Sequence, residues 1–198
     1  MRKTKEEAEL TRKHLLQAAF RLFKENGYDR TSLEQICRDA QMTRGAAYWH
    51  FKNKQEIFEC TVIQTLEKIH TCVSEKTEKN RNLSDEEIIV ELLCFPSDME
   101  EEFSFIRKAT TYIQGKEEFN NLRQILLTDK KRQYSYFLEP IKRIKERERR
   151  LDNISLNQLT FLIFYAFDGI YIQDIPKDIR IHVDRELIRK YIHLLLRA

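Results

Sequence analysis

Glycine and proline are rare in this chain, with four and three among 198 residues. Loops are therefore few, and helices must fill most of the length. Gly27, Gly45, Gly115 and Gly169 lie too far apart to build a phosphate-cradling loop or a dinucleotide fingerprint. The four cysteines, Cys37, Cys60, Cys72 and Cys94, are separated by 12 to 23 residues. No Cys pair or Cys/His cluster has zinc-finger spacing, so the cysteines read as free thiols in a reducing compartment. The five histidines, His14, His50, His70, His182 and His193, are scattered. No nucleophile–base or metal-ligand constellation is legible, so neither an enzyme nor a metal or cofactor is expected. Long apolar runs are missing too. The longest, Phe161 to Phe167, has seven residues, far below the ~20 needed to span a bilayer. The N-terminus is charged, with no apolar signal core behind it. These absences predict a cytoplasmic protein without a membrane partner.

What is present is unevenly distributed. The net charge is only +3, yet residues 1–54 carry twelve Lys/Arg against seven Asp/Glu, a net of +5. The remaining 144 residues carry 23 against 25, a net of −2. A basic head on a slightly acidic body suits a polyanion-binding module joined to a segment with another task.

Three short helices are predicted at the front of an all-α chain. Thr4 caps the first, with Glu7 three residues on. Leu15, Ala18, Ala19, Leu22 and Phe23 form its apolar stripe, and Gly27 stops it. The second begins at Thr31 or Ser32, with Glu34 placed for a reciprocal cap, and buries Leu33, Ile36, Cys37 and Ala40. The third starts at Thr43, so only Gln41 and Met42 remain to turn the chain between them. Two short helices joined so tightly make a helix-turn-helix.

The third helix has the composition of a reader. Thr43 and Arg44 can donate to phosphates or guanine edges, while Gly45 and Ala46 let the backbone approach a groove floor. Tyr48 and His50 are expected to face phosphates, and Thr31 or Ser32 and Lys54 to grip the backbone of the duplex. Phe51 reads as core, and Trp49 fits either role. Asn53, with Glu56, caps a fourth helix.

The stretch Thr43-Arg44-Gly45-Ala46-Ala47-Tyr48-Trp49-His50-Phe51-Lys52-Asn53-Lys54 resembles the signature of TetR-family repressors. Ala18 to Phe23, Gly27-Tyr28 and Thr31 to Ile36 match the first two helices of that family. The head is most similar to the AcrR-like branch, which represses multidrug efflux pumps. The resemblance covers about the first 60 residues. It implies a helix-turn-helix DNA-binding domain over 1–52 and a helical ligand-binding and dimerisation domain over 53–198. It also implies a homodimer on a palindromic operator in double-stranded DNA, released by a small apolar or aromatic inducer. A DNA-binding dimer without an inducer is the alternative. One departure is Gln41, where the family places glycine at a turn position expected to be left-handed. A side chain there costs about 1 kcal/mol.

In the body, helices are expected from Asn53 to about Lys79, from Ser84 until Pro96 ends it, and at about 98–114, 121–149, 155–173 and 184–197. Pro140 should kink or split the fourth of these. Its charged end, Lys142 to Arg150, reads as a solvated face. The helix beginning at Ser155 and the last helix are apolar on more than one side, which predicts a second subunit over Leu156, Phe164, Phe167, Tyr171, Leu187, Tyr191 and Leu195. The resemblance implies a four-helix bundle across the two-fold axis at this pair. Phe103, Tyr112, Tyr134, Phe137 and Phe164 are core aromatics or the lining of a ligand cavity, and the residues alone leave this open. Gln114, Glu117 and Glu118 would favour a cationic ligand if they faced it.

Overall fold

A computed structural model describes residues 5–80, 82–148, 151–170 and 184–197, and all regular structure among them is helical. The three-helix head and the larger helical body are both present. The first helix, α1 (Lys5–Asn26), buries Thr11, Leu15, Leu16, Ala18, Ala19 and Phe23 on one face. Gly27 ends it with φ +76° and an N–H bond to the Phe23 carbonyl of 2.9 Å, the left-handed stop that glycine adopts without a Cβ penalty. Thr4, the expected cap of α1, lies outside the described residues.

The helix α2 (Leu33–Asp39) starts at Ser32, whose hydroxyl oxygen accepts the Gln35 N–H at 3.2 Å. The Gln35 side chain in turn accepts the Ser32 N–H at 2.7 Å. Gln35, not Glu34, is therefore the reciprocal partner, because it is the third residue after the cap and points back at it. The α2 C-terminus closes with Gln41 N–H on the Arg38 carbonyl (3.1 Å) and Met42 N–H on the Cys37 carbonyl (2.8 Å), and Gln41 takes the left-handed position between them at φ +56°. The helix α3 (Arg44–His50) follows at once, capped by the Thr43 hydroxyl oxygen, which accepts the Ala46 N–H at 3.1 Å. Gln41→Gly should relieve the Cβ strain and raise stability by about 0.5–1 kcal/mol in a denaturant titration. An unchanged or lower midpoint would show that the Gln41 side chain compensates.

Beyond the head run α4 (Lys54–Lys79), α5 (Asp85–Asp98), α6 (Glu100–Ile113), a 3-10 turn at Glu117–Phe119, α7 (Asn120–Arg147), α8 (Leu156–Ile170) and α9 (Arg185–Arg197). One expectation about proline is corrected. The helix α5 passes through Pro96 to Asp98. Pro96 stands in the last turn, where its missing N–H removes one ladder bond of α5 and only two residues follow, and Phe95 and Pro96 are both buried. Of the two outcomes expected at Pro140, splitting of α7 does not occur, and its ring is buried.

The described chain forms two compact units that do not follow chain order. One comprises residues 1–70 and 101–126, the other 71–100 and 127–198. The first packs α1, α2 and α3 together with the starts of α4 and α7 and with α6. Phe23, Phe51, Phe58, Phe105 and Phe119 are buried in one continuous core. In the second unit α5 packs on α9, and ion pairs border the contact: Arg189 on Glu87 at 2.6 Å and Arg185 on Glu91. The basic end of α7 is not a plain solvated face. Arg143 and Arg147 converge on buried Asp85 at 2.7 and 2.6 Å, and Lys145 donates to the Leu151 carbonyl at 2.7 Å. These cations are committed inside the unit. No described helix is long and apolar enough to cross a membrane.

Candidate nucleic-acid interface

The helix α3 is held on one face and open on the other. Ala47 is fully buried between α3 and the other two head helices, and Phe51, just past the end of α3, is 2% exposed. With that face anchored, helical spacing turns Arg44, Gly45, Tyr48 and Trp49 outward. Tyr48 is 53% and Trp49 73% exposed. Exposed aromatic rings of this size are costly to leave in water, and contact with sugar–phosphate or bases would cover them. The Trp49 ring meets the half-buried His50 edge-on at 4.6 Å. Gly45 has open space where a Cβ would stand, with only the Thr43 oxygen at 3.9 Å. The absence of a side chain is thus not required by packing, and it leaves the first turn of α3 flat for close approach. Ala46 is half-buried beside it.

Arg44 is not idle. Its guanidinium pairs with Glu34 of α2 at 2.5 Å, and both groups are well exposed. Hydrogen bonding to backbone in the first turn of α2, and then the Arg44 charge, hold the Glu34 carboxyl below its usual range. This partner was not visible in the sequence, because only the tight turn between α2 and α3 brings positions 34 and 44 together.

The backbone-gripping set is revised. Thr31 is 1% exposed, and its hydroxyl donates to the Gly27 carbonyl at 2.8 Å, with the Leu22 carbonyl at 3.2 Å. Its side chain is a strut between α1 and α2, so of the two hydroxyls only that of Ser32, half-buried at the start of α2 and already capping it, keeps any access to the surface. Thr43 is exposed, although its oxygen already caps α3. The Lys54 ammonium donates to the Tyr28 carbonyl at 2.9 Å and lies 4.1 Å from the centre of the Tyr28 ring. It is partly spent on the joint between α1 and α4. Lys52, outside the expected set, has an exposed side chain.

Just past the end of α1, Tyr28 packs among Phe23, Phe58, Tyr112 and Phe119. The Tyr112 hydroxyl donates to Asp29 at 2.6 Å. Burial first, then neighbouring Tyr112 and acids, push Tyr28 up to about 12. Burial and the Asp29 carboxylate push Tyr112 up as well. Both pKa values are raised on folding, so the associated stability is complete below pH ~10, the ordinary tyrosine value, and is lost as pH climbs through about 12. Of eight tyrosines, Tyr28 and Tyr112 should ionise late in an absorbance titration, and Tyr112→Phe should remove one late step. Eight tyrosines titrating together near 10 would refute the Asp29–Tyr112 contact.

The other expected sites are scattered differently. Phe103 and Tyr112 belong to the first unit, whereas Tyr134, Phe137 and Phe164 belong to the second. In the latter, Phe164 meets Tyr134 and Phe137 edge-on at 5.4 and 5.7 Å, and the Tyr134 hydroxyl donates to the Asn157 carbonyl at 3.1 Å. Gln114, Glu117 and Glu118 are exposed. Phe164 is also corrected as an interface residue: it is 1% exposed, inside its own unit. Among the described side chains, the large exposed apolar ones of α8 are instead Phe161, Leu162 and Tyr165, and those of α9 are Leu187, Tyr191 and Leu194. Leu156 and Leu195 are half-buried. The Phe167 side chain and Tyr171 lie outside the described residues.

Residues 15–60 match the family model described as bacterial regulatory proteins, tetR family. The chain is 54% identical over 57 residues to the HTH-type transcriptional regulator AcrR of Shigella flexneri, covering 29% of this chain and 26% of that one. It is 41% identical over 78 residues to the HTH-type transcriptional regulator TtgR of Pseudomonas putida, covering 39% and 37%. The chain thus aligns with between a quarter and two fifths of the length of these relatives. Its fold is shared by NalD, described as the secondary repressor of the MexAB-OprM multidrug efflux pump in Pseudomonas aeruginosa. That structure superposes with a TM-score of 0.59 at 21% identity, over 96% of each chain.

Proposed function

We propose, from the premise that residues 15–60 belong to the TetR family of bacterial regulatory proteins, that this chain is a cytoplasmic, ligand-responsive transcriptional repressor. Residues 1–52 bind duplex DNA, and residues 53–198 carry dimerisation and the response to a small molecule. The observation that carries the reading is α3: buried at Ala47, flanked by buried Phe51, and open at Arg44, Gly45, Tyr48 and Trp49. Phosphate contacts come from Ser32, Tyr48, His50, Lys52 and Lys54, and base contacts from Thr43, Arg44, Gly45 and Ala46. Two such heads in a homodimer would read half-sites about one helical turn apart, so the operator is palindromic.

The resemblance of the head to the AcrR-like branch supports an apolar or aromatic inducer and a multidrug efflux pump as the regulated target. The helix α4 starts at Lys54, beside the head, and is the natural element to carry the response. A ligand shifts the DNA-binding state only by its differential affinity for the two states, and operator must weaken ligand binding by the same factor. The test begins with selection of bound sequences from a random duplex pool by the full chain. An enriched palindrome, bound far more tightly than random duplex, is expected; no enrichment over the starting pool would overturn the reading. Titrating aromatic compounds with and without that palindrome then tests induction, and equal affinities in both arms would defeat it.

A further inference from the structure

The first compact unit contains a recess of about 240 Å³ between the end of α1, α4 and α6. Its walls are rings: Phe23, Tyr28, Phe58, Phe105 and Tyr112. Tyr28 and Tyr112 lie 4.9 Å apart at a tilt of 34°, one ring over the other, and the Lys116 ammonium lies 3.4 Å from the centre of the Tyr112 ring, so the pair offers ring edges to the recess rather than an open face. Tyr112 is fixed by its bond to Asp29, and Phe23, Phe58 and Phe105 are buried. The aromatic lining is therefore a rigid feature of the core rather than a set of loose side chains.

The polar part of the lining is biased toward positive charge. Lys24, Arg30 and Lys108 line the recess together with one carboxylate, Glu25, and the Asp29 carboxylate stands behind the lining on the Tyr112 hydroxyl. Lys24 is already paired with Glu101 at 2.9 Å. Lys108 and Arg30 have no carboxylate partner among the described residues. Their contacts are with main-chain carbonyls at the end of α1: Lys108 with Lys24 at 3.0 Å and Arg30 with Asn26 at 3.1 Å. Those carbonyls hold the two cations beside the rings, and each keeps further N–H donors for an anion. A cavity of this volume falls just below those that hold drug-sized molecules, which points to one or two fused rings.

We propose that this recess binds a small aromatic carboxylate, its ring against Tyr28 and Tyr112 and its carboxylate on Lys108 and Arg30. Edge-to-face contact with the tyrosine rims provides the apolar contact, and two charge-assisted hydrogen bonds set the sign of the ligand. The site lies wholly within the unit that contains the head, against Gly27-Tyr28 at the joint between α1 and the helix-turn-helix. It is separate from the body aromatics Tyr134, Phe137 and Phe164. Binding here does not depend on whether the chain represses transcription.

The test uses the full chain without DNA, titrated calorimetrically with 2-naphthoate, with its neutral amide and with 2-naphthylmethylamine. Saturable binding of one naphthoate per chain is expected, with the amide at least about tenfold weaker and the amine weaker still. Lys108→Gln and Arg30→Gln should each weaken naphthoate about tenfold, and the double variant should abolish saturation. Lys142→Gln, which removes one positive charge from the exposed side of α7, should leave the affinity unchanged. Circular dichroism of each variant confirms that the helices remain. No saturable binding by the wild-type chain would overturn the proposal. So would equal binding of the amide or the amine, or full affinity in the double variant.

Discussion

Arg44→Ala is expected to weaken binding to the selected palindrome by about 1–3 kcal/mol, roughly five- to 150-fold, while changing affinity for random duplex much less. Arg44 is the first residue of α3 and is capped in place by Thr43. Its guanidinium is exposed and carries a fork that fits a guanine edge. The Glu34 pair adds a second arm to the experiment. Glu34→Gln should raise affinity for all duplexes, because it releases Arg44 from its internal acceptor and removes a negative charge near phosphate. A surface pair of this exposure is worth little to folding, so the variant should melt like wild type. The readouts are anisotropy titrations on the palindrome and on scrambled duplex, at two salt concentrations. Equal losses on both duplexes for Arg44→Ala would reassign Arg44 to the phosphates.

The second large effect is expected in assembly. Phe161→Glu combined with Leu194→Glu should convert a dimer into a monomer at micromolar concentration, raising the dissociation constant on the order of 100-fold or more, since each carboxylate would be desolvated without a partner. Both side chains are exposed in the single chain, at 53% and 68%, so the core of each unit is untouched. Circular dichroism should therefore be unchanged while sedimentation changes. This pair separates the two causes where Phe164→Glu would not, because Phe164 is buried in its own unit. Loss of the dimer should also weaken palindrome binding far more than binding to a single half-site. A wild-type chain that sediments as a monomer at micromolar concentration would refute the dimer outright.

Much of the head was legible before any coordinates, because its determinants are local. Gly27, Ser32 and Thr43 act on residues within four positions of themselves, and a helix start or stop needs no distant partner. Gln41 was legible for the same reason: the tight turn demands a left-handed residue wherever it occurs, and its φ is +56°. The apolar periodicity of α8 and α9 likewise marked helices with more than one side to cover.

Tertiary structure alone decided which member of each local set does what. Thr31 and Ser32 are neighbours of similar chemistry. Only the approach of the α1 carbonyls at Gly27 and Leu22 makes one a buried strut and leaves the other at the surface. Phe164 and Phe161 lie one turn apart on α8, and the packing of Tyr134 and Phe137 decides that the first is core and the second open. The charges behave alike. Arg44 finds Glu34 across the turn, and Arg143 and Arg147 find Asp85 across about sixty residues. The recess with Lys108 and Arg30 depends on α6 returning to the end of α1. Periodicity and capping are set within a few residues, so the amino-acid order determines them. Burial, ion pairing and cavities depend on which distant segments meet, and no spacing along the chain records that.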